Sequence, residues 1–305
     1  MIGEWLLSPA ALAILGLVIG SFLNVVIHRL PQMMQRQWWA EVAGQLEDDA
    51  SYRQVFGRPL PPQASHTAQA LDAELQALPR LNLAQPRSHC PACGHSLSWH
   101  ENVPLLGWLR LRGRCSACGT RIPARYPVVE GLTGLLFAAV GWRFGAQPAA
   151  LMWCAVAATL LALSAIDWDT TLLPDSLTQP LTWAGLVAAF AGWSGLSVGT
   201  ALVGAVAGYL SLWSVYWLFK LATGKEGMGH GDFKLLAALG AWLGWQALLP
   251  IVLMASVLGA CVGLGMKAMG ELREGRYVPF GPFLAGAGMV ILLTGTDSAL
   301  ALMGW

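Results

Sequence analysis

The chain has 305 residues, of which 55% are hydrophobic and only 11% charged, with a mean hydropathy of +0.54. That balance is foreign to soluble domains of this length and to disordered or nucleic-acid-binding chains, so a polytopic membrane protein is expected and no nucleic-acid partner is. A net charge of +1 is less informative than where the charges sit, and the fifteen tryptophans suit the boundary between lipid and water.

A bilayer core of roughly 30 Å takes about 20 apolar residues per helix, fewer where neighbouring helices bury part of the span. In chain order the candidate spans are Leu6 to Ile27, Val128 to Trp142, Pro148 to Ile166, Leu177 to Trp193, Val198 to Phe219, Phe233 to Leu249, Ile251 to Met266 and Phe280 to Thr294. Several are short and rich in Gly and Ala, which predicts close helix packing. The first span carries Glu4 and no basic residue ahead of it, unlike a secretory signal, so it reads as a retained helix. Threading the spans with Arg29 in the cytoplasm leaves only Arg143, of the 18 basic residues, on the outer side.

The polar stretch Arg29 to Pro127, between the first and second spans, divides in two. From Pro31 to Arg87 it mixes Gln, Ala, Glu and Pro, with a weak helical period at Leu71, Leu75 and Leu78. From Ser88 to Arg125 it turns to Cys, Gly, Arg and Trp. Here Cys90-Pro-Ala-Cys93-Gly94 and Cys115-Ser-Ala-Cys118-Gly119 form two CxxCG turns 21 residues apart. That spacing predicts a closed four-thiolate zinc site on Cys90, Cys93, Cys115 and Cys118, holding the loop together rather than activating water. Two disulfides are the alternative, disfavoured by a reducing cytoplasm. His89, His95 and His100 could serve beside the metal or simply be solvated, while Cys154 and Cys261 sit in apolar spans as small packing residues.

Carboxylates at membrane depth are costly, and two places carry them. Asp167 ends the third span, followed by Asp169, which could be merely solvated, and by Asp175, placed to cap the fourth helix. Asp232 follows Gly227, Gly229 and Gly231, which permit close backbone approach; no Lys-Ser/Thr closes this as a phosphate loop. Helix capping is the plain reading of each aspartate alone. The topology, however, puts Asp167 and Asp232 on one side of the membrane at similar depth, where two carboxylates sharing a proton could activate water, as in aspartic proteases. An ion or proton transporter, and a noncatalytic assembly scaffold organised by the zinc loop, are the rival classes.

The sequence resembles the type IV prepilin peptidases, bifunctional leader peptidases and N-methyltransferases of the GxGD aspartyl protease group. The resemblance rests on Gly20-Ser-Phe-Leu-Asn-Val-Val-Ile-His-Arg29, both CxxC turns, Glu101-Asn102-Val-Pro104, Gly113-Arg114-Cys115 and Arg125-Tyr-Pro-Val-Val-Glu130. It continues through Ile166-Asp167, Leu-Leu-Pro174-Asp175, Lys225 to Lys234 and Pro279-Phe-Gly-Pro-Phe283; the segment Gln32 to Arg87 stands apart. It implies an all-α membrane protein of about eight transmembrane helices: a first helix (1–30), a cytoplasmic domain (31–127) whose zinc site spans 88–125, and a seven-helix peptidase core (128–305). It further implies catalysis by Asp167 and Asp232 and zinc on the four cysteines. The implied substrates are type IV prepilins and pilin-like secretion subunits, cut at the inner-membrane cytoplasmic face after a glycine and usually before phenylalanine. Membrane lipid is the other expected partner. The new amino terminus would be methylated from S-adenosylmethionine, for which no Rossmann-type turn is present; Glu101, Asn102, Arg114 and Glu130 are the candidate residues.

Overall fold

The computed structural model describes residues 5–270 and 278–302, so the expectation for Glu4 lies outside it. Helices are the regular secondary structure of the described residues, beside two isolated antiparallel bridges, His89 with Ser96 and Arg114 with Arg121. Helix α1, Pro9–Glu47, begins at Ser8, whose hydroxyl accepts from the Ala11 amide, and runs 39 residues without interruption. Pro31 removes one backbone donor, yet the Gln-, Met-, Ala- and Glu-rich residues beyond it are strong helix formers and carry the helix on. The first helix is therefore far longer than the span that ends at Ile27.

The chain then doubles back. Asp48 accepts from the Ser51 amide at the start of α2, Asp49–Phe56, and Gly57 ends it at φ 67, a left-handed conformation that favours glycine. Helix α3, Pro62–Ala77, returns along α1, with Ala43 and Ala68 buried where the two meet. Leu71 and Leu75 are half-buried and Leu78 caps the helix, so the weak period at those leucines does mark a helix. Two long-range bonds fasten the return strand of chain to α1: Arg29 donates to the Asn82 carbonyl at 3.0 Å and Arg36 to the Pro79 carbonyl at 2.7 Å. The cysteine loop and the short α4, Leu106–Arg110, follow.

The remaining helices are α5, Arg125–Phe144; α6, Pro148–Thr170; α7, Asp175–Phe190; α8, Val198–Thr223; α9, His230–Leu243; α10, Leu248–Ala268, entered through a 3-10 turn at Trp245–Ala247; α11, Gly281–Thr294; and α12, Thr296–Leu302. Among the described residues four stretches are long and apolar enough to cross a membrane: α1, α6, α8 and Trp245–Ala268; α11 is apolar but shorter. The other expected spans fall on α5, α7 and α9, which are helical too. The chain is a multi-pass, all-helical membrane protein. One boundary moves: the sixth and seventh spans part at Gly244, at φ 82, rather than at Pro250, which lies in the first turn of α10 where a missing amide costs nothing.

Small residues set the contacts, as their abundance predicts. A Cβ at Gly16 would lie 2.7 Å from the Thr133 carbonyl and one at Gly20 2.6 Å from Glu130 Cα, so α1 and α5 touch backbone to backbone. Gly204 and Gly240 meet in the same way between α8 and α9, and Gly208 would bring a Cβ within 2.6 Å of the Leu236 carbonyl. Helix α9 is buried at every position from Asp232 to Trp242 but Lys234, enclosed by α7, α8 and α11. All-round burial explains how a helix of 14 residues belongs to this bundle: neighbouring helices, rather than lipid, surround it.

Candidate functional site

Asp167 sits in the last turn of α6 and is 4% exposed. Its Oδ2 accepts the Gly281 amide of α11 at 3.0 Å. The first amides of a helix lack internal partners and carry positive partial charge, so α11 presents a natural seat for an anion to a carboxylate from another helix. Glycine is required there because a Cβ at Gly281 would stand 2.5 Å from Asp167 Oδ2.

Asp232 occupies the first turn of α9 and is 7% exposed. The N-cap is Gly229 and no side chain caps this helix, so the capping explanation of Asp232 does not hold. The glycines ahead of it earn their place sterically: a Cβ at Gly231 would lie 2.8 Å from Leu173 Cβ, and one at Gly227 2.8 Å from the Phe219 ring. Leu173 also lies 3.2 Å from a Cβ placed at Gly281. One leucine in the α6–α7 turn thus borders both the glycine that binds Asp167 and the glycine that precedes Asp232. That leucine links the ends of the two helices that carry the carboxylates.

Asp175 does not cap α7 either. Pro174 is the N-cap, and the Asp175 carboxylate instead accepts Lys234 Nζ at 2.6 and 2.8 Å, tying the start of α7 to the first turn of α9 two residues past Asp232. Asp169 pairs with Arg125 at 2.5 Å, and the Arg125 guanidinium also reaches the Ala165 carbonyl at 3.4 Å. These bonds join α5 to the end of α6 beside Asp167. Sequence reasoning missed Arg125 and Lys234 as anchors because their partners are 44 and 59 residues away. His230 packs at a tilt against Tyr216 and Phe233 with ring centroids 5.0 and 5.3 Å apart, which helps hold the entry to α9.

The four loop cysteines converge with every Sγ within 4.8 Å of the others, and all are free thiols. Cys90 and Cys118 lie 3.8 Å apart, Cys93 and Cys115 3.9 Å. A tetrahedral ion with Zn–S bonds of about 2.3 Å requires sulfurs about 3.8 Å apart, so the cluster fits a metal such as zinc. Each half folds identically. Cys90 donates its amide to His95 and accepts from Gly94; Cys115 does the same with Thr120 and Gly119; Gly94 and Gly119 both adopt φ 72. None of the three nearby histidines joins the cluster.

Glu101 braces the loop, accepting from the Ser98 hydroxyl at 2.6 Å and its amide at 2.8 Å, with His95 3.3 Å away. The Ser116 hydroxyl, then the Ser98 hydroxyl and amide, hold its carboxyl at about 2, below the ordinary 4.5. A depressed carboxyl stabilises the fold at pH above its unfolded value and loses that contribution as pH falls toward the folded value. The stability gap between the native chain and Glu101→Gln should therefore be full above about pH 4.5 and close as pH drops toward about 2, as followed by tryptophan fluorescence. A gap independent of pH would remove Glu101 from this role.

The candidates for binding a methyl donor separate in the structure. Glu101, Asn102 and Glu130 line one cavity, whereas Arg114 is exposed and outside it. Cys154 is buried within α6, as expected of a packing residue, and Cys261 is exposed on α10.

The structure is thus a helical membrane bundle with two buried carboxylates at the ends of separate helices and a four-thiolate loop attached to its first helix. Residues 14–144 match the Bacterial Peptidase A24 N-terminal domain and residues 154–264 the Type IV leader peptidase family. The chain belongs to the type IV leader peptidase family. It is 50% identical over 291 residues to a prepilin leader peptidase/N-methyltransferase of Burkholderia pseudomallei, an alignment covering 95% of this chain and 87% of the relative. Proteins of the same name from Aeromonas hydrophila (50% over 279 residues; 92% and 88% covered) and Pseudomonas aeruginosa (48% over 283 residues; 92% and 89% covered) are also similar. No solved structure matches.

Proposed function

We propose that this chain cuts the leader peptide from type IV prepilins and pilin-like secretion subunits and then methylates the new amino terminus. The burial of Asp167 and Asp232 at the junction formed by Gly281, Leu173 and Gly231 carries the reading, because a structural cap has no need of a second carboxylate nearby. Relatives covering nearly the whole chain and named for both activities support it.

The apolar segment of the substrate lies among the helices of residues 128–305, and its basic leader stays at the cytoplasmic face of the inner membrane. The scissile peptide reaches the two aspartates. One carboxylate takes a proton from water as the water attacks the carbonyl, while the other, protonated, donates to the carbonyl oxygen; the proton then passes to the leaving amine. The Gly281 amide holds Asp167 in orientation throughout. No serine or cysteine nucleophile takes part, so no acyl-enzyme forms. Zinc on Cys90, Cys93, Cys115 and Cys118 is structural, since four thiolates leave no open position, and it organises residues 88–125 within the cytoplasmic domain of 31–127. S-adenosylmethionine supplies the methyl group.

Purified protein incubated with a synthetic prepilin and labelled S-adenosylmethionine should yield a product that has lost its leader and gained label at its first residue. Intact substrate, together with ion movement across reconstituted vesicles, would place the chain among transporters instead. Gly281→Ala tests the site itself. The added methyl displaces Asp167 while leaving both carboxylates in the chain, and a misplacement near 1 Å costs about 10²-fold in rate. Cleavage should fall by about that factor, read as kcat, with KM little changed.

A further inference from the structure

Among the described residues, the buried polar side chains sort by partner. Asp167 and Asp232 form the carboxylate pair, and Thr133 and Thr178 return their hydroxyls to the Val129 and Pro174 carbonyls. The three that remain, Asn24, Arg29 and Glu130, line a single cavity of about 470 Å³. Its walls are α1, the chain returning from α3, the cysteine loop and the first turns of α5. That size falls within the roughly 300–1,000 Å³ of small-molecule sites.

Burying a charge is costly without full pairing. Arg29, 8% exposed, donates to the Asn82 carbonyl, one bond for a guanidinium that carries five N–H groups. Glu130, also 8% exposed, accepts the Leu105 amide at 2.8 Å. A fixed cation and a fixed anion in one cavity suit a zwitterion, and the faces of Leu97, Trp108 and Ile122 give an apolar wall for a flat ring. We propose that this cavity binds S-adenosylmethionine, with Arg29 holding its amino-acid carboxylate, Glu130 accepting from its ammonium group, and the Leu97–Trp108–Ile122 wall against its adenine. This rests on the methyl-transfer reading above. Its position is apt, because the Arg125–Asp169 pair joins the helix that carries Glu130 to the end of the helix that carries Asp167.

A photoreactive S-adenosylmethionine analogue, crosslinked to the unmodified full chain in detergent and mapped by mass spectrometry, should mark peptides within 21–36, 79–91 or 95–130. Equilibrium dialysis with labelled S-adenosylmethionine gives the second readout. Arg29→Gln and Glu130→Gln should each weaken binding by about tenfold or more, the worth of one charged hydrogen bond, with bound metal per chain unchanged as the check on folding. Adducts confined to α6 to α11, or undiminished affinity in both metal-loaded variants, would overturn the site while leaving methyl transfer standing. Failure of the unmodified protein to bind or transfer the methyl group would instead overturn the methyl-transfer reading and the site with it.

Discussion

Asp167→Asn and Asp232→Asn each lower leader cleavage by about 10³-fold or more, with near-normal substrate binding. The amide keeps the size and the acceptor for the Gly281 amide, yet it can neither take a proton from water nor give one to a carbonyl. General acid–base catalysis is worth about 10²–10⁴, and removing either partner of a shared-proton pair disables both roles. The double variant should therefore be little slower than either single one, as for residues that act as a unit. Methylation provides the internal control. A peptide that begins at the mature residue should still be methylated by both variants. Cleavage at native rate by either variant would dismiss the pair, and loss of both activities together would point to collapse of the fold rather than of the chemistry.

Removing metal from the cysteine loop is the second large effect. Binding at a structural four-thiolate site is worth about 10–16 kcal/mol, far more than a loop of this size gains by packing. Cys115→Ser, or exhaustive chelation, should release the ion and unfold residues 88–125, detected as proteolysis between Ser88 and Arg125 and as four or three thiols newly open to alkylation. The consequences should be unequal. The carboxylate pair is carried by α6, α9 and α11 rather than by the loop, so cleavage of short substrates should survive better than methylation. A chain purified with no metal and with its cysteines oxidised would refute the metal site.

Much of this was readable from the amino acids. Asp167 and Asp232 stand out because a charge at the end of an apolar run is expensive, and the glycines around Asp232 signal close contact, which the structure places against Leu173 and Phe219. The CxxCG turns encode their own geometry in a few adjacent residues, down to the left-handed glycines. Long-range choices were less legible. Asp175 reads as a cap because it follows Pro174 at a helix start; its true partner, Lys234, is on another helix. The expected sixth and seventh spans divide on either side of Pro250, but proline in a first helical turn breaks nothing, and the chain turns at Gly244 instead. In the sequence Arg29 is the first positive charge past a span and Asn24 one residue of a longer motif. Only once α1 runs on to Glu47 and α3 folds back do they become the inside of something.

That uninterrupted first helix has a mechanical consequence. At 1.5 Å per residue its 39 residues measure about 58 Å, and about 30 Å of that lies beyond Ile27. The same rigid rod is embedded in lipid at one end, lines the cavity between Ser21 and Arg36, and packs against α3. Transmembrane helices lean to match the thickness of the bilayer around them. A lean of about 5° would swing the distal end through about 3 Å, a lever converting bilayer thickness into displacement of α3.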